Sequence, residues 1–260
     1  MTAPTAIELL WGTQQRPKRG PKPSLSLDRI VTEAIAFADS EGLANLSMQR
    51  LAERLGCAKM ALYRYVPGKA ELTALMLDAA MGDAPDLVAA AKDSTEQPWR
   101  AQLRAWCVTS YEMFCAHTWT LGMLVTTRPY GPNEINWFEA GLAPLADSGL
   151  TGPERLDTLA LLSGQAQTFA RATLGDRSGG LEDAMFEQLT RVLADQADRY
   201  PHTVTAFSEP APPGSRDNAL NFGIDRILDG LAALIAIRES GHTGSESSTS
   251  VRTEQAPETT

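Results

Sequence analysis

Three cysteines in 260 residues are too few for a disulfide framework, and no Cys-x-x-Cys pair or His/Cys cluster offers the spacing of a structural zinc site. Cys107 and Cys115 stand eight residues apart on one predicted helix. That separates their backbones by about 12 Å at helical rise, too far to bridge. Cys57 stands alone in a turn, where a small residue suffices. Histidine is equally scarce: His117, His202 and His242 are the whole supply. No glycine-rich phosphate loop, nucleophile elbow or metal-ligand motif accompanies them, so catalysis has no convergent set of groups to work with. No enzyme, no cofactor and no bound metal are expected. Long apolar runs are missing too; none approaches the roughly 20 residues a membrane-spanning helix needs. The opening residues, Met-Thr-Ala-Pro-Thr-Ala-Ile-Glu-Leu-Leu-Trp, lack the basic end and apolar core of a signal peptide. A cytoplasmic protein with no membrane partner is expected.

What the chain does have is helical periodicity. Hydrophobic residues make up 43% of it, enough for a substantial core. No segment carries a convincing strand pattern or an internal repeat, so the fold class expected is all-α. Leu27, Ile30, Val31, Ala34, Ile35 and Ala38 recur at helical spacing and stop at Glu41-Gly42. Ser47 then suits an N-cap, and Leu46 and Leu51 flank it as a hydrophobic staple. Leu51, Ala52 and Leu55 form an apolar stripe, with Gln49, Arg50, Glu53 and Arg54 opposite. Gly56 follows where a left-handed C-cap costs least. A second helix over Ala58–Tyr65 must restart almost at once, because Pro67-Gly68 ends it, and Lys69–Met81 reads as the next.

Two short helices meeting at a glycine are the pattern of a helix-turn-helix, whose second helix lies in a DNA major groove. The same pattern also occurs in helical domains that never touch DNA. Charge favours the DNA reading. Residues 13–71 hold ten Lys and Arg against six Asp and Glu, a net of +4, in a chain whose total is −9. A basic end on an acidic body is the electrostatic footprint of a DNA-facing head. Ahead of it runs Arg16-Pro-Lys-Arg-Gly-Pro-Lys-Pro, basic residues between prolines that suit an extended arm on phosphates or in a minor groove.

The body reads as a larger set of helices. Trp99, Leu103, Trp106, Ser110, Met113 and His117 make an inward stripe, and Thr118–Thr127 reads as a short helix. Pro132 and Pro153 sit at first-turn positions of two more, Asn133–Ser148 and Glu154–Leu174. Leu181–Arg199 is another. Leu220, Ile224, Ile227, Leu228, Leu231, Leu234 and Ile235 form the strongest stripe of all. One short recognition helix reads only a few base pairs, so reading a palindrome requires two heads on a two-fold axis. Helices 154–174 and 217–238 are the expected homodimer surface, pairing with their symmetry mates as a four-helix bundle. Trp106, Phe114, Trp119, Met123, Trp137 and Phe169, with His117, Gln165 and Arg171 as polar fixing points, either line a pocket for a small hydrophobic ligand or simply pack as core. The expected organisation is a flexible arm over 1–23, a DNA-binding head over 24–82, a ligand-binding and dimerisation domain over 83–239, and a disordered tail over 240–260.

On these residues the chain resembles the TetR-type bacterial transcriptional regulators, from Leu27 to about Ile237. The resemblance rests on Ala-Ile-Ala-Phe-Ala-Asp-Ser-Glu-Gly (34–42), Leu-Ser-Met-Gln-Arg-Leu-Ala-Glu-Arg-Leu-Gly (46–56), Met-Ala-Leu-Tyr-Arg-Tyr-Val (60–66) and Lys69-Ala-Glu-Leu72. Pro98-Trp-Arg, His117-x-Trp119 and residues 221–231 resemble one subgroup of it. The resemblance implies phosphate contacts from Ser47, Tyr65 and Lys69, and positions at or near base edges for Gln49, Lys59, Met60, Ala61 and Tyr63. Lys59 suits guanine O6 and N7, Gln49 an adenine or a phosphate, and Met60 and Ala61 a thymine methyl. Tyr63 and Tyr65 offer hydroxyls to phosphates. Arg64 is a phosphate contact or a solvated charge. The implied function is a homodimeric repressor that a small ligand releases from a palindromic operator. A ligand-independent regulator or an activator is the alternative.

Overall fold

A computed structural model describes residues 4–12, 25–124, 126–176, 181–194, 196–209 and 219–246. Among these there are helices and turns but no strand. The head consists of α2 (Leu27–Glu41), α3 (Met48–Leu55), α4 (Lys59–Leu62) and α5 (Lys69–Met81), which follow a short N-terminal α1 (Ala6–Trp11). The Ser26 and Ser47 hydroxyls accept the amides of Arg29 and Arg50, each at 3.2 Å, so α2 and α3 both start on a side-chain cap. Gly56 ends α3 at φ 66°, ψ 34°, the left-handed geometry expected of it. Ile30, Phe37, Leu46, Leu51, Leu62, Leu72, Met76 and Leu77 are fully buried and form the head's core.

The body begins with α6 (Leu87–Ala90) and α7 (Pro98–Ala116), then α8 (Thr120–Met123) and α9 (Pro132–Leu142). The long α10 (Gly152–Asp176) packs on α7, α9 and α13 (Ala219–Glu246). Between α10 and α13 come α11 (Leu181–Ala194) and α12 (Pro201–Ser208). Leu103, Cys107, Leu145, Leu159, Leu162, Ala166, Ile224 and Leu228 centre the second core. Burial pushes the Cys107 thiol up to about 12, and its Sγ donates to the Leu162 carbonyl, so it is a structural residue. The expected dimer helices pack side by side and leave Leu161 and Phe222 60% and 65% exposed, an apolar surface that one copy leaves uncovered.

Several expectations require correction. The arm expected to be flexible over 1–23 is folded from Pro4 to Gly12. Thr5 and Glu8 close a capping box around α1, Leu10 is buried against the head, and Trp11 Nε1 donates to the Tyr130 carbonyl at 2.9 Å. The basic stretch Arg16–Pro23 lies outside the described residues. The recognition helix is one turn, Lys59–Leu62, rather than Ala58–Tyr65, because Ala58 provides no side-chain cap and Tyr63–Tyr65 turn towards Pro67. The helix expected over 118–127 shrinks to Thr120–Met123, and that over 133–148 breaks into α9 and a 3-10 turn, Ala143–Leu145, at Pro144. Residues 240–246, expected to belong to a disordered tail, continue α13 to Glu246; residues 247–260 lie outside the described residues.

Candidate nucleic-acid interface

The face of the head that carries α4 is built from below. Leu62 is fully buried and Ala61 half-buried, which turns Lys59, Met60, Tyr63 and Arg64 outward. Met60 is 71% exposed, so its thioether lies open beside Lys59. The Lys59 ammonium lies 5.8 Å from the centroid of the Tyr63 ring, which steadies a flexible cation without neutralising it. Gln49, on the exposed side of α3, donates from Nε2 to Glu53 Oε1 at 2.8 Å. Lys59, Met60, Tyr63 and Arg64 thus share the exposed side of the α4 turn, with Ala61 at its edge, and Gln49 is exposed on the neighbouring α3.

Three residues expected at phosphates make hydrogen bonds within the head. The Ser47 hydroxyl accepts the Arg50 amide. Tyr65 donates its hydroxyl proton to the Leu25 carbonyl at 2.9 Å. Lys69 Nζ donates to the carbonyls of Leu46 and Leu43, at 2.6 and 3.3 Å, and so ties the start of α5 to the entry of α3. Part of the basic excess is also internal. Arg50 pairs with Glu41 at 2.6 Å and Arg54 with Glu33 at 2.7 Å, and both guanidiniums lie over the Phe37 ring.

The residues expected to line a ligand pocket divide into three groups. Trp106, Phe114 and Trp137 are buried in the body core, where the two indoles meet edge to face at 6.3 Å and Trp106 Nε1 donates to the Trp137 carbonyl. His117, Trp119 and Met123 sit at the seam between body and head. Gln165 covers Gly223 on α13, where a Cβ would meet its amide at 1.8 Å, and Phe169 is half-buried further along α10. Arg171 donates to the Leu121 carbonyl. The grooves found among the described residues lie elsewhere: one of about 310 Å³ beside Trp99, Asp147 and Glu239, and one of about 350 Å³ beside Thr126, Arg128 and Tyr130. The expected lining residues thus fall in three places of the fold.

Sequence reasoning missed two carboxylates. Asp78 on α5 accepts the amides of Asn133 and Glu134 at the start of α9, at 2.9 and 3.1 Å; burial raises its pKa. Asp39, on α2, faces His117 and Trp119. Neither stood out because a lone acid in an amphipathic helix has the pattern of a solvated face.

Comparison with known proteins agrees with this geometry. Residues 30–76 match the model of bacterial regulatory proteins of the tetR family, and residues 93–235 match that of the tetracyclin repressor-like C-terminal domain. The transcriptional repressor DrrR1 of Streptomyces coeruleorubidus is 39% identical over 241 residues, covering 89% of this chain and 86% of that protein. A transcriptional regulator of Saccharopolyspora erythraea is 30% identical, with 89% and 93% covered. Among solved structures, ActR of Streptomyces coelicolor in complex with actinorhodin superimposes with a TM-score of 0.67 at 26% identity, covering 83% of this chain and 99% of that one. These relatives are regulators rather than enzymes, and no helix among the described residues is long and apolar enough to cross a membrane. Two-helix reading head, helical body and matched models agree: the chain belongs to the TetR family of bacterial DNA-binding transcriptional regulators.

Proposed function

We propose that the protein is a homodimeric repressor that acts in the cytoplasm on a palindromic operator and leaves it when a small hydrophobic ligand enters the body. The observation that carries the reading is the outward cluster of Lys59, Met60, Tyr63 and Arg64 above a fully buried Leu62. Lys59 would donate to guanine, Met60 and Ala61 would touch thymine methyls, and Gln49, Tyr63 and Arg64 would take neighbouring edges or phosphates. Ser47, Tyr65 and Lys69 would serve this face by holding its backbone in place. Dimerisation would use α10 and α13, whose exposed Leu161 and Phe222 need a partner.

Release follows from linkage. A ligand that binds better to a differently spaced pair of heads must weaken operator binding by the same factor. ActR, a structural relative, holds actinorhodin, and the buried aromatic side chains Trp106, Phe114 and Trp137 of this body would suit an aromatic ligand. The mutual packing of those three favours a second reading, a regulator that needs no ligand. Thermal shift against a panel of polycyclic aromatic compounds, actinorhodin included, separates the two. A ligand at 100 times its Kd adds about 2.7 kcal/mol to the folded state. A footprint on bound DNA tests the first reading: two protected major-groove segments about 34–36 Å or more apart are expected. A single protected segment would contradict it.

A further inference from the structure

Head and body are joined by two separate polar attachments. One is at the end of α5, where Asp78 caps α9 and Asn133 Nδ2 returns a bond to the Asp78 carbonyl at 3.0 Å. Trp137 Nε1 donates to the Met81 carbonyl at 3.1 Å, and Trp11 of α1 reaches Tyr130 in the same stretch of chain. Since α5 itself runs from head into body, this attachment stands beside the covalent connection between them.

The second attachment lies on α2. Asp39 Oδ1 accepts Trp119 Nε1 at 2.8 Å, and His117 Nδ1 lies 2.9 and 3.1 Å from the two carboxylate oxygens. The hydrogen bonds described for this carboxylate all go to the body; α2 is closed by Gly42, not by Asp39. Trp119 belongs in sequence to the turn between α7 and α8, yet it is 8% exposed and packs within the head's core. The body thus inserts one indole into the head and fixes it there by a single acceptor. A rigid unit held at one place pivots in every direction; a second, separate attachment leaves it only rotation about the line through the two.

We propose that Asp39, His117 and Trp119 are positioning residues that set the angle of the head, and through it the half-site spacing this protein reads. The inference rests on the dimeric DNA-binding reading above. In a two-fold dimer any swing of the heads changes the separation of the two α4 turns. One base pair of spacing displaces a half-site by about 3.4 Å and rotates it by about 36°, so a locked head tolerates few spacings and a loose one several.

The test uses the full-length dimer and duplexes carrying the selected half-site as an inverted repeat, with the spacer shortened or lengthened by one and two base pairs. The wild type is expected to lose about tenfold in affinity per unfavourable step, a factor that hydrogen bonds to a charged acceptor are strong enough to enforce. Asp39→Ala should reduce that penalty to about threefold or less while binding to an isolated half-site stays unchanged. Trp119→Phe keeps an aromatic ring in the head core and removes only the donor, and it should flatten the profile in the same direction. A spacing profile unchanged in both variants overturns the proposal. So does an equal loss at every spacing, which is what a merely structural role would produce. A wild type that binds no inverted repeat at all removes the dimeric reading itself, and the inference falls with it.

Discussion

Lys59 and Lys69 are both lysines of the head, ten residues apart, and their surroundings give them different work. The Lys59 ammonium is held only by the Tyr63 ring, a weak attraction of about 0.5–1 kcal/mol at an exposed site. It remains available to a base edge. Lys59→Ala is expected to cost about 1–3 kcal/mol on the operator and to relax preference at one position in each half-site. Equal losses on specific and random duplexes, measured by fluorescence anisotropy at fixed salt, would refute the base-reading role. Lys69 already donates to two carbonyls; its removal takes this donor from that of Leu46, while that of Leu43 still accepts the Leu46 amide. Lys69→Ala is expected to lower the unfolding free energy by about 1–2 kcal/mol in urea titration. The slope of log affinity against log salt should hardly change. A slope flattened by about one unit with stability intact would return Lys69 to a phosphate. The sequence made Lys59 legible because its face had to be outward. It could not distinguish a lysine that binds phosphate from one that caps a neighbouring turn, since both are exposed cations on a helix.

At the level of elements, local chemistry was legible wherever it was self-contained. Ser47 and Gly56 mark helix ends by rules that need only nearby residues, and each is found in that role. Gly56 at φ 66° has open space where a Cβ would stand, so the cost of Gly56→Ala is conformational alone. About 1–2 kcal/mol of stability should be lost, read as a lower melting temperature. A change within about 0.3 kcal/mol would mean that the left-handed turn is not maintained in solution. Elements that depend on distant partners were less legible. The Thr5-x-x-Glu8 pattern reads in sequence as part of a flexible arm, because only α5 and Tyr130 give α1 something to bury against. The large side chains of the body had helical periodicity whether they enclosed a ligand or one another, and periodicity cannot tell these apart. His117 and Trp119 show the same limit: an inward stripe says that a residue is buried, not which domain buries it.

For the whole molecule, the apolar surface left on α10 and α13 decides the assembly. Leu161 and Phe222 are large, exposed and carried by the two longest helices of the body. Placing a charge in such a surface when it is buried in a dimer leaves that charge unpaired, at a cost of several kcal/mol. Leu161→Glu together with Phe222→Glu is therefore expected to give monomers in sedimentation velocity at micromolar concentration. The fold of each head should persist, and affinity for a full palindrome should drop to that for a single half-site. A double variant that remains dimeric would place the interface elsewhere. Selection from a randomised duplex pool at low, stated ionic strength tests the account most directly. The full-length protein should enrich an inverted repeat whose half-sites each lose one position of preference when Lys59 is replaced by alanine. Enrichment of nothing, or of a single unrepeated motif, would contradict it.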